Sequence, residues 1–93
     1  MDRLTAMRVF VDVVERGSLA AAADKLDMSR AMVTRYVAEL EQWLGARLLH
    51  RSTRSLGLTQ AGINALPRCR QMLALADDVE AVSYTHLTLP TSD

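Results

Sequence analysis

Apolar residues recur at helical spacing from the start of the chain. In residues 2–16 they are separated by steps of three or four: Leu4, Met7, Phe10 or Val11, and Val14. This spacing predicts an amphipathic helix with one buried face. Asp2 or Thr5 can cap the helix start, and Gly17 stands where a left-handed residue commonly ends a helix.

Two further helices are predicted close behind the first. Residues 18–26, SLAAAADKL, form a short helical pattern that Ser18 can cap. Its small alanine side chains would let it pack closely beneath the next helix. Residues 29–43, SRAMVTRYVAELEQW, form the third pattern, with Ser29 as its cap and Gly45 as its stop. Two residues separate the second pattern from the third.

The third helix has two chemically different faces. Its apolar positions are Met32 or Val33, Val37, Leu40 and Leu44. Its other face carries Arg30, Thr34 and Arg35 near the N-terminal end, where free N–H groups and the helix dipole attract anions. Such a surface suits phosphates and base edges. Trp43 lies near the opposite end, so we expect it to pack in the core.

Two interpretations of this pair of short helices remain open on pattern alone. Their tight connection matches a helix-turn-helix, whose second helix enters the major groove of DNA. The alternative is a structural helical hairpin with a solvated charged face.

A polar hairpin is predicted after the third helix. Residues 47–51 and 56–58 can be short extended segments, with residues 52–55 as the turn between them. This hairpin is a candidate wing, and Arg51 and Arg54 are its charges. Hydroxyl side chains flank them at Ser52, Thr53 and Ser55. Arginine and hydroxyl groups on a loop suit phosphates or a minor groove, although an ordinary polar turn has the same composition.

A long helix is predicted over residues 60–82, capped by Thr59. Its apolar face exceeds what a small core can cover, so we expect that face to pair with a second chain. The expected dimerisation residues are Leu66, Cys69, Leu73 and Ala76. Residues 83–93, SYTHLTLPTSD, break the helical pattern, and we interpret them as a strand and tail or as a non-native terminus.

The charges are distributed unevenly along the chain, although they sum to zero. The 93 residues carry no formal net charge and suggest one domain. However, residues 30–70 hold seven arginines and two glutamates, a net of +5. Residues 1–29 have a net charge of −1 and residues 71–93 of −4. Because local charge meets a phosphate backbone, the basic middle favours a nucleic-acid partner.

Several classes of protein are disfavoured. One cysteine allows neither an intrachain disulfide nor a zinc cluster. No apolar run reaches the roughly 18 residues of a membrane span, and no secretory signal opens the chain, so we expect a cytoplasmic protein. His50 and His86 have no paired carboxylate motif, metal-ligand spacing or nucleophile. We therefore expect neither an enzyme nor a cofactor.

The ordered motifs resemble a known family. The opening MRVFVDVVERGSLAAAADKL and the later MSRAMVTRYVAELEQWLGARLLHRSTRSLGLTQAG resemble the N-terminal domain of LysR-type transcriptional regulators. The resemblance covers residues 2–82. It implies a mainly α fold, a winged helix-turn-helix with a three-helix core and a short β-hairpin wing in residues 1–58. A dimerising linker helix would follow in residues 59–82.

The resemblance also implies DNA-binding residues. Ser29, Arg30, Ala31, Thr34 and Arg35 would lie at the DNA-facing end of the recognition helix. Arg51, Thr53 and Arg54 would belong to the wing. We also expect Ser18, at the start of the second helix, to bind DNA. The chain departs from the family at Arg30, often glutamine, at Met32, often smaller, and at Thr34, often serine. Arginine favours guanine whereas glutamine favours adenine, so the resemblance does not imply a particular base preference for this chain.

Partners follow from the same resemblance. The expected partners are an inverted-repeat duplex DNA and a second copy of the chain, with a tetramer open for the full-length protein. A small-molecule effector would bind only through a larger C-terminal domain, which 93 residues cannot hold. The alternative function is a helical protein-interaction module that binds no DNA.

Overall fold

Four helices and one hairpin make up the described part of the chain. The computed structural model describes residues 2–51 and 56–88, and side chains at 51 and 83–88 are outside the description. The elements are α1 (Arg3–Arg16), α2 (Leu19–Leu26), α3 (Arg30–Leu44), β1 (Leu49–Arg51), β2 (Leu56–Leu58) and α4 (Gln60–Thr88). The predicted mainly α fold with a short hairpin is confirmed.

Local hydrogen bonds explain where the first three helices begin and end. The side chains of Asp2, Ser18 and Ser29 each accept a hydrogen bond from a nearby backbone N–H, at 3.1, 3.0 and 3.1 Å. Each bond satisfies an N–H that has no partner within its helix. Gly17 and Gly45 adopt the left-handed conformation, with φ of 81° and 74°. The predicted caps and stops are therefore confirmed, with Asp2 as the first.

The core lies where α1 meets the other three helices. Its largest fully buried side chains are Phe10, Leu40, Leu48, Val9, Val13, Val33 and Val37. Ala22 and Ala23 of α2 are also buried in this cluster. The expected close packing of the alanine-rich helix is therefore confirmed, because a methyl side chain is small enough for α2 to lie directly on its neighbours.

The expected outward face of α4 is turned inward. Cys69 and Leu73 are 4% and 9% exposed and belong to the core of their own chain, while Leu66 packs against that core. Burial raises the pKa of the Cys69 thiol. Ala76, further along the same face, is half-buried. The expectation that this face is left uncovered is wrong, because α4 lies across α1.

Ion pairs accompany the packing of α4 against α1. Arg8 pairs with Asp77 at 3.1 Å, and Arg70 pairs with Glu15 at 3.2 Å. Both pairs are about half exposed, so each contributes little stability beyond fixing the relative position of the helices.

A second apolar face of α4 points away from the core. Its exposed members are Met72, Leu75, Val79 and Val82. They follow steps of three, four and three residues, the spacing of a coiled-coil seam. A single chain therefore covers one apolar face of α4 and leaves the other in solvent.

The long helix also ends later than predicted. α4 continues to Thr88 rather than stopping at residue 82, so residues 83–88 are helical and the expected strand or tail is wrong there. Serine, threonine and tyrosine cost well under about 1 kcal/mol each in a helix. The segment contains neither glycine nor proline, and the next proline is Pro90. Residues 89–93 lie outside the described residues.

Candidate nucleic-acid interface

The turn between α2 and α3 sets the angle at which α3 leaves the core. Asp27 is left-handed, with φ of 56°, and is the one non-glycine residue with positive φ in the described part of the chain. The N–H of Met28 then donates to the carbonyl oxygen of Ala23 at 3.0 Å. This bond closes α2 in the manner of a Schellman motif. Aspartate tolerates this conformation better than most residues, which is the one signal of it in the sequence.

Helix α3 is anchored along one face and free along the other. Val33, Val37 and Leu40 are at most 1% exposed. Arg30, Ala31 and Arg35 are exposed, as the sequence predicted for a surface helix face. The buried face holds α3 against α1 and α2, so the N-terminal end projects its polar side chains outward.

Electrostatics at this end favour an anion. The first turn of α3 contains no acidic residue. Arg30 and Arg35 therefore add positive charge to a helix end that is already electropositive. Thr34 is half-buried beside them, which leaves its hydroxyl a limited approach from solvent.

Ser18 and Ser29 occupy equivalent positions at the starts of α2 and α3. Each hydroxyl accepts a hydrogen bond from its own helix. A hydroxyl that accepts in this way can still donate its proton to a phosphate oxygen. Ser29 is exposed and Ser18 half-buried, so Ser29 is the more accessible of the two to such a contact.

The predicted wing is present as an antiparallel hairpin. β1 pairs with β2 in the register Leu49–Leu58, His50–Gly57 and Arg51–Leu56. Arg51 is the last residue of β1, next to the turn. Thr53 and Arg54, the other wing residues, lie outside the described residues, as does the whole turn 52–55.

A buried carboxylate fixes the base of the wing. Glu41 of α3 is 7% exposed and accepts hydrogen bonds from the N–H groups of Leu48 and Leu49, at 2.8 and 3.3 Å. The guanidinium of Arg47 lies 3.7 Å from the same oxygen. Sequence analysis missed this residue. Its signal was an acid adjacent to Leu40, at the edge of the apolar face of an amphipathic helix.

Trp43 is on the surface, contrary to prediction. Its side chain is 42% exposed, and the guanidinium carbon of Arg3 lies 4.4 Å from the ring centroid. A cation therefore covers the ring of Trp43 in place of the expected core neighbours.

The family comparison accounts for this arrangement. The model of the bacterial regulatory helix-turn-helix proteins of the lysR family matches residues 4–63. The chain belongs to this family. The match covers all the elements described above up to the first turn of α4.

Relatives of this LysR-family chain are transcriptional regulators. An HTH-type transcriptional repressor of Pseudomonas aeruginosa is 47% identical over 87% of the chain. The HTH-type transcriptional activator AaeR of Escherichia coli is 46% identical over 97% of it. The chain spans 26% and 29% of the length of these two relatives.

Solved structures of the family share the fold. The chain is similar to a CbnR DBD–DNA complex, with a TM-score of 0.86, 37% identity and coverage of 94% of this chain and 99% of that one. It is also similar to a BenM DBD in complex with catB site 1 DNA, with a TM-score of 0.88 and 30% identity. That match covers 96% of this chain and 99% of the other.

Catalysis, metal binding and membrane insertion are the other functions to compare with the LysR-family chain. Its relatives are regulators and not enzymes. Among residues 2–51 and 56–82, whose side chains are described apart from Arg51, no three His, Cys, Asp or Glu side chains come together as metal ligands. Within the described helices, none is long and apolar enough to cross a bilayer.

Proposed function

We propose that this chain binds duplex DNA sequence-specifically and inserts the N-terminal end of α3 into the major groove. The observation that carries the proposal is the pair of exposed arginines, Arg30 and Arg35, on a capped helix end whose opposite face is buried. Ala31 lies between them and allows close approach to a base pair. Similar domains, those of CbnR and BenM, have been crystallised with DNA.

Secondary contacts are proposed on both sides of α3. Ser18, Ser29 and Thr34 would donate hydrogen bonds to phosphate oxygens and fix the register of the helix in the groove. Arg51, Thr53 and Arg54 of the wing would reach the backbone or the adjacent minor groove. These contacts add affinity without reading the sequence directly.

The chain is proposed to act as a homodimer. The surface that a second copy would cover is the exposed α4 face, which consists of Met72, Leu75, Val79 and Val82. This face replaces the set expected from sequence, of which Cys69 and Leu73 are already buried. Two recognition helices about 34 Å apart would meet successive major grooves of an inverted repeat.

The whole protein, of which this chain is the DNA-binding part, is proposed to control transcription. The relatives include a repressor and an activator, so we propose that regions outside this domain set the direction of control. A following domain would bind a small-molecule effector and support further assembly, including a tetramer. Such a protein would work in the bacterial cytoplasm, where its DNA is.

Selection from a random duplex library tests the proposal. The chain is incubated with the library at moderate salt, and bound DNA is sequenced over several rounds. The expected result is an inverted repeat whose half-sites are about one helical turn apart. Failure of the folded chain to bind any DNA would contradict the proposal.

A charge-matched pair of variants sharpens this test. Arg35→Ala removes one positive charge from the proposed interface and should abolish or change the enriched half-site. Arg68→Ala removes the same charge from the exposed surface of α4, where its guanidinium bonds the carbonyl oxygen of Asn64 at 2.9 Å. Arg68→Ala should recover the same half-site as the unaltered chain.

A further inference from the structure

Met32 is an apolar side chain on the proposed DNA-facing end of α3. It is the third residue of the helix and is 44% exposed. The neighbouring apolar residue, Val33, is fully buried. Much of the Met32 side chain therefore lies outside the core, on the flank of α3 that also carries Arg35.

The surroundings of Met32 form a shallow open cavity. Met32, Arg35, Tyr36 and Glu39 line this cavity, which has a volume of about 240 Å³. Residues three, four and seven positions apart share one side of a helix, so the four side chains follow one flank of α3. Tyr36 is partly buried and also packs against the core.

The chemistry of this flank fits a base edge better than a phosphate. A thioether side chain offers no hydrogen-bond donor to a phosphate oxygen. The carboxylate of Glu39 would repel a phosphate, whereas the positive charge of Arg35 attracts the DNA as a whole. In the major groove, the one apolar group that a base pair presents is the 5-methyl group of thymine.

From the exposure of Met32, its cavity and the adjoining Arg35, we infer that Met32 determines specificity by contacting a thymine methyl group in the major groove. The inference rests on the proposed function and adds one base pair of the half-site that the chain recognises directly. An unbranched, adaptable side chain can follow a methyl group without strain. The preferred half-site would then contain a thymine next to the base that Arg35 contacts.

Deoxyuridine substitution isolates this contact, because it removes the 5-methyl group and leaves base pairing intact. Each thymine of the selected half-site is replaced in turn, and binding is measured for the full chain and for Met32→Ala. We expect one substitution to weaken binding by the unaltered chain roughly three- to fivefold, the effect of losing one buried methyl group. Met32→Ala should bind the thymine and uracil duplexes almost equally.

Gln42→Ala is the matched control, since it shortens another exposed side chain of α3 near the far end of the helix. It should keep the full thymine preference. Equal methyl sensitivity in the unaltered chain and Met32→Ala, or no sensitive thymine in an enriched site, would overturn the inference and leave the proposed function standing. Absence of any enriched DNA would overturn both.

Discussion

The carboxylate of Glu41 accepts a hydrogen bond of 2.8 Å from the backbone N–H of Leu48. Glu41 lies in the last turn of α3, and Leu48 immediately precedes β1. Both side chains are buried. The bond therefore joins the recognition helix to the start of the wing and fixes the position of one relative to the other.

Removing this carboxylate should destabilise the domain. Glu41→Ala leaves the buried N–H of Leu48 without its acceptor, and we expect the free energy of unfolding to fall by about 2–3 kcal/mol. Glu41→Gln retains an acceptor oxygen and should lose less. Urea denaturation followed by circular dichroism measures both. Gln42→Ala, next to Glu41 but exposed, should unfold at the same urea concentration as the unaltered chain, and a similar result for Glu41→Ala would contradict the assigned role.

A close approach at Gly62 should make that residue irreplaceable. A Cβ atom there would overlap the backbone carbonyl oxygen of Leu48 and approach Leu58 Cδ2 to 2.9 Å. The backbone cannot give way easily, because Thr59 N–H donates to the same carbonyl at 3.0 Å. Gly62→Ala should therefore lower the free energy of unfolding by at least about 2 kcal/mol.

Gly57 supplies the control for this substitution. A Cβ atom at Gly57 would meet no heavy atom within 4 Å. Thermal unfolding of Gly57→Ala should stay close to that of the unaltered chain. Equal melting temperatures for Gly57→Ala and Gly62→Ala would show that α4 does not approach Leu48 as described.

The single tryptophan reports directly on its unexpected position. Because Trp43 is 42% exposed, its fluorescence should be red-shifted and readily quenched by acrylamide in the folded chain. Arg3→Ala should remove the cation over the ring, lower stability by only about 0.5–1 kcal/mol and increase quenching. A blue-shifted emission that resists acrylamide would instead indicate the core position that the sequence pattern suggested.

The two apolar faces of α4 should respond differently to substitution. Leu75 is 60% exposed, so Leu75→Asp should dissociate the proposed dimer while leaving the monomer folded. Leu73 is 9% exposed, so Leu73→Ala should lower the free energy of unfolding by about 2–4 kcal/mol. Light scattering measures the dissociation of the dimer by Leu75→Asp. Urea denaturation measures the loss of stability in Leu73→Ala. Unchanged dimerisation of Leu75→Asp would place the interface elsewhere.

Arginines in α3 and in the wing should differ in what they contribute to binding. Arg35→Ala should cost about 1–3 kcal/mol on selected DNA and much less on random DNA if the guanidinium reads a base. Arg51→Ala should weaken binding to both and reduce the dependence of affinity on salt, as loss of a phosphate contact does. Titrations at several salt concentrations separate these outcomes, and an unchanged salt slope for Arg51→Ala would count against its wing role.

Local chemistry alone determined the boundaries of the first three helices. Ser18 and Ser29 bond N–H groups within three residues of themselves, and Gly45 needs only its own backbone freedom. Such interactions are complete within a short segment, so their residues identify them. The exposed arginines of α3 were predictable for the same reason, since helical spacing fixes which side chains share a face.

Tertiary packing decided what spacing could not. Both apolar faces of α4 follow helical periodicity, so the sequence does not determine which of them α1 covers. Cys69 was therefore expected at a dimer interface, whereas it is buried in the core of its own chain. The burial of Glu41 was missed, and the exposure of Trp43 was predicted wrongly. The carboxylate of Glu41 is buried where backbone N–H groups seven and eight residues later donate to it, and the ring of Trp43 lies against the distant Arg3. These partners are several residues or a whole helix away, and only the folded chain brings them together.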